Sequence, residues 1–73
     1  MAMQYVVQRL EMGDVVLIEF PGEEREVEAK VVRPIDRTDR TDRTVRVSLH
    51  VEGHEEFVKE WLLGEMVTVV RGP

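Results

Sequence analysis

Between Thr44 and Glu52 apolar and polar residues alternate without a break. Val45, Val47, Leu49 and Val51 fall on one side of an extended chain, and Arg46, Ser48, His50 and Glu52 fall on the other. Period two is the repeat of a strand half buried in a sheet, so the chain is expected to be organised around this segment. Gly53 follows, then Phe57 and Trp61, which hold half of the four aromatic rings. A hairpin whose inward rings build the core is the expected continuation.

The register of that hairpin can be argued from burial, because a slip of one residue sends every side chain to the opposite face. A two-residue turn at Glu52-Gly53 sets Leu49 opposite Glu56 and brings a glutamate to the core side. A three-residue loop, Glu52-Gly53-His54, pairs Val51 with Glu55, Leu49 with Phe57, Val47 with Lys59 and Val45 with Trp61. Burial favours the longer loop, with glycine in a left-handed conformation. Lys59 is tolerated opposite Val47 if its stem packs and its ammonium reaches water. A helix over residues 54–63 competes, since Phe57, Val58, Trp61 and Leu62 also fit spacings of three and four and Gly64 could cap it. The clean preceding strand and its nearby glycine favour β structure.

The remaining chain reads as further short strands. Tyr5 and Val7 alternate in a first strand at Met3–Val7, and Gly13-Asp14 is a turn in which aspartate can hydrogen-bond the local backbone. Val15–Phe20 is apolar on both faces. Val16, Ile18 and Phe20 are assigned to the core, because Glu19 on the other face would be costly to bury. Val15 and Leu17 then need cover from a terminal segment or a second subunit, and they are the candidate interaction surface. After Pro21-Gly22, a strand at Arg25–Arg33 turns Val27, Ala29 and Val31 inward and Glu26, Glu28 and Lys30 outward, until Pro34 ends it. Asp-Arg-Thr then occurs three times over Asp36–Thr44 with no apolar residue, and an exposed loop is expected there. Gly64-Glu65 turns the chain into a β-branched final strand, Met66–Arg71.

At 73 residues there is room for one domain, near the size at which an apolar core only just offsets chain entropy. Cysteine is absent, so no disulfide or thiolate metal site can supplement it, whereas self-association could. No long apolar run or signal-like segment occurs, which points to the cytoplasm and to no membrane partner. Ten basic and fifteen acidic residues leave a net charge of −5, the wrong sign for a generic binder of nucleic-acid backbone. Seven of the basic residues, with five acidic ones, lie between Arg25 and Arg46. Nucleic acid, if bound, would meet Lys30, Arg33, Arg37, Arg40, Arg43 and Arg46, although neighbouring aspartates offset the repeat arginines and a solvated mixed surface is the better reading.

Nothing resembles a catalytic constellation. Ser48 is the single serine, the glycines form no phosphate loop, and the histidines have no evident carboxylate partner for nucleophile activation. His50, Glu52, His54, Glu55 and Glu56 are metal-ligand chemistry, but a turn at Gly53 splays them. No enzyme activity, cofactor or metal is expected.

Five or six short strands, a Leu-x-x-Gly-Asp-x-Val opening at Leu10–Val16 and a compact final hairpin resemble a Src-homology-3-like small barrel over roughly Leu10–Arg71. Tudor and KOW modules share such an opening, and their relatives bind RNA, modified peptides or proline-rich ligands. This chain lacks the second glycine of a KOW loop, an evident aromatic cage and the aromatic row of a proline-peptide groove, so those ligands do not transfer. The segment Glu52–Trp61 is also similar to small proteins of high-GC bacteria. The expectation is an all-β single domain over residues 1–73, a small five- to six-stranded Src-homology-3-like barrel. Its expected role is a non-enzymatic protein-interaction or self-associating module, a homodimer included. The alternative is a nucleic-acid-associated accessory domain.

Overall fold

The hydrogen-bonding consequence of so many short β-branched runs is a single antiparallel sheet. A computed structural model describes residues 2–35 and 43–71, so the repeat at residues 36–42, with Arg37 and Arg40, lies outside the described residues. Six strands, β1 (Met3–Val6), β2 (Val15–Ile18), β3 (Val27–Val31), β4 (Thr44–His50), β5 (Phe57–Leu62) and β6 (Met66–Arg71), run in the order β1-β6-β2-β3-β4-β5. The final strand therefore sits between the first two, and all pairs are antiparallel.

The β4–β5 hairpin has the register that burial demands. Leu49 pairs with Phe57, Val47 with Lys59 and Val45 with Trp61, and residues 57–62 are strand, not helix. The ladder stops at Leu49 and Phe57, so Val51 and Glu55 belong to the loop. There Gly53 takes φ of 86° and His54 N–H donates to the Val51 carbonyl at 3.0 Å. Pro21-Gly22 makes the corresponding turn after β2. Proline's fixed φ suits its first central position and Gly22, at φ 87°, its second, closed by Glu23 N–H donating to the Phe20 carbonyl at 3.1 Å.

Three expected spans are shorter than the periodicity suggests. The strand from Val15 ends at Ile18 because the turn already claims Phe20, and the strand read as Arg25–Arg33 is ordered as β only over Val27–Val31. After Val6 the chain winds into a single 3₁₀ turn at Val7–Arg9, whose Val7 N–H donates to the Glu65 carbonyl at 2.8 Å.

The core is aliphatic. Val16 and Ile18 of β2, Ala29 and Val31 of β3, Val45, Val47 and Leu49 of β4, and Val67 and Val69 of β6 are buried together with Val7, Leu10 and Val51. Phe57 and Trp61 pack against this cluster but stay half-buried, so the rings border the core and do not form its centre. Close packing across so narrow a sheet leaves space for valines more readily than for rings.

Val15 has its cover within the chain, one of the two possibilities expected for it. It is buried at 8% exposure, beside Leu17, which is half-buried. The register between β2 and β6 shifts at Val15 and Val16, which lie opposite Arg71 and Val69. Such a bulge bends the strand, so consecutive residues need not face opposite environments.

Candidate functional site

The turn after β2 and the loop before β5 meet at one end of the sheet. Phe20 is held by the Pro21-Gly22 turn, His54 by the Gly53 turn and Phe57 by the first rung of β5. The Phe20 ring lies 4.7 Å from that of His54, inclined at 58°, and 5.5 Å from that of Phe57, inclined at 50°. Tilted rings at these separations attract edge to face. Together they line an open groove of about 620 Å³ that also takes in Glu19, Glu55, Glu56 and Lys59. A second depression, lined by the turn residues Glu23, Glu24, Arg25 and Glu26, adjoins it through Glu19 and Phe20.

The rim of the groove is acidic, with one internal tie. Arg33 Nε donates to Glu56 Oε2 at 2.7 Å, and this hydrogen bond to Glu56, then the charge of Glu56, hold the guanidinium above its ordinary value. The cation is thus charged throughout the working range of pH. Glu19 and Glu55 are exposed. Apolar ring faces flanked by carboxylates suit a ligand that carries both an apolar body and a positive tip.

The described basic residues of the central segment sit among acidic neighbours. Lys30, Arg33, Arg43 and Arg46 are all exposed, but Arg33 is tied to Glu56, and Arg46 Nε donates to Glu60 Oε2 at 3.2 Å. Lys30 lies opposite His50, with Glu28 two residues before it, also exposed. The outer face of β3 and β4 is therefore mixed in sign. Val15, as above, is buried, and only Leu17 of that pair is partly open to solvent. Among the described residues no group of three or more histidines, cysteines and carboxylates is placed to hold a metal ion. No helix among them is long and apolar enough to cross a membrane.

Sequence reasoning missed the groove. Its rings come from positions 20, 54 and 57, and only the fold brings Phe20 to the others. The available signal was the pair of turns, each with an aromatic ring next to it and glutamates around it. Searches of family models, curated proteins and solved structures found no match.

Proposed function

We propose that the chain is a non-enzymatic protein-interaction module, a small Src-homology-3-like β-barrel whose groove receives a basic, extended segment of a partner protein. The observation that carries this reading is the gathering of Phe20, His54 and Phe57 in one groove with Glu19, Glu55 and Glu56. Rings offer apolar area and a cation-attracting face, while carboxylates steer and orient a positive chain. A partly open barrel, with β1 and β5 left as its unpaired seam, is supported by six short strands around one aliphatic core.

Titration calorimetry with a lysine- and arginine-bearing peptide that also carries leucine or valine tests the reading. Binding is expected, weakening as salt rises, and Phe20→Ala or Glu55→Lys should reduce it about tenfold. Equal affinity for an acidic peptide of the same apolar content would overturn it. Salt-dependent binding of RNA or duplex DNA without peptide binding would favour the nucleic-acid alternative instead.

A further inference from the structure

β5 is an open edge with its backbone already aimed outward. Among the described residues its one neighbour is β4, and it ends the strand order. Leu63 N–H donates to the Arg43 carbonyl at 2.9 Å, so at that position, directly opposite in the register, the β5 side turns its backbone toward β4. Counting by twos along the register makes Trp61, Lys59 and Phe57 the β5 residues that bond β4. The N–H and C=O of Val58 and Glu60, and the N–H of Leu62, therefore face away from the sheet. The same residues point their side chains to solvent, with Val58 60% and Leu62 57% exposed. Natural sheets seldom leave such an edge uncovered.

We propose that this edge pairs with β5 of a second copy, antiparallel about a two-fold axis through Glu60. The argument is the symmetry of the tract itself. Read outward from Glu60, Val58-Lys59-Glu60-Trp61-Leu62 has an apolar residue two places away on each side and a cation or an aromatic ring one place away. Antiparallel pairing sets Val58 of one copy beside Leu62 of the other, twice, and Lys59 beside Trp61, twice. Lys59 Nζ already lies 5.3 Å over the Trp61 ring within one chain, so the strand is suited to that contact. Glu60 meets its own copy at the axis, but each carboxylate is held by Arg46 at 3.2 Å. With Lys59 and Arg46 set against Glu60, the tract itself carries no net negative charge in a chain of net charge −5, so it adds no repulsion of its own between two acidic molecules. Any other two-fold register that uses the open backbone groups breaks up the Val58–Leu62 pairs and exposes them again.

Sedimentation velocity over a concentration series tests the proposal without any peptide present, so it stands or falls apart from the groove. A monomer–dimer equilibrium is expected, weakened at least about tenfold by Val58→Lys or Leu62→Lys and unchanged by Met66→Lys. All three sites are exposed, and an unaltered thermal transition verifies that each variant folds. The register is read by mixing. Val58→Glu chains combined with Leu62→Lys chains should form heterodimers, because the new charges lie side by side. Val58→Glu combined with Val58→Lys should not. A chain that is monomeric into the millimolar range, a dimer indifferent to both lysine substitutions, or equal rescue in the two mixtures would overturn it.

Discussion

Asp14 is the one buried charged side chain among the described residues, at 2% exposure. Its position follows from the turn it closes. Its Oδ2 accepts from the Glu11 N–H at 2.9 Å, while Gly13 N–H donates to the Val31 carbonyl and Val31 N–H to the Asp14 carbonyl, both at 2.8 Å. The carboxylate thus fixes the turn that registers β2 against β3. Asp14→Ala strands the Glu11 amide and is expected to cost about 2 kcal/mol in urea denaturation, whereas Asp14→Asn, which keeps an acceptor, should cost under about 1 kcal/mol. At Gly53 the constraint is conformational. An added Cβ would meet nothing within 4 Å, yet φ is +86°. Gly53→Ala should lower stability by about 1 kcal/mol, with asparagine recovering part of the loss because it tolerates the left-handed region. Comparing the two variants' thermal midpoints checks this.

At the level of strands, β4 was the most legible element and β2 the least. Alternation in β4 has one meaning, because one face is buried and the other wet, and Gly53 with Phe57 then settles the register by burial alone. β2 carries apolar residues on both faces, so period-two reasoning could not say which face needed an outside partner. The bulge opposite Val15, which no local motif announces, decided it within the chain. The strand ends were overread for a similar reason, since a turn claims residues that pattern alone extends. The distinction between faces has a measurable consequence. Val47 is fully buried, so Val47→Ala removes packed methyl groups and should cost about 2 kcal/mol by chemical denaturation. Val58, on the outer side of the neighbouring strand, should accept threonine with a change of no more than about 0.5 kcal/mol when measured at high dilution.

For the whole molecule, the order of strands matters more than any one of them. β6 lies between β1 and β2, joining the last strand of the chain to its first two, and it brings Val67 and Val69 into the core. The tie is reinforced at the turn before it, where Gly64 N–H donates to Gln8 Oε1 at 2.8 Å and Val7 N–H to the Glu65 carbonyl at 2.8 Å. Sequence reading found β6 and its bounds but not its neighbours, because pairing between distant segments leaves no local trace. The groove was hidden for the same reason, since its rings become neighbours only once the turn after β2 meets the loop before β5. In a chain this short the core has little surplus stability, and removing its central connector cannot be absorbed by the rest. A chain ended at Glu65 should therefore lack the cooperative thermal transition of the full chain and show the amide dispersion of an unfolded polypeptide. A folded β1–β5 remnant with native chemical shifts would mean that the sheet is held by its hairpins and not by the pairing of its termini.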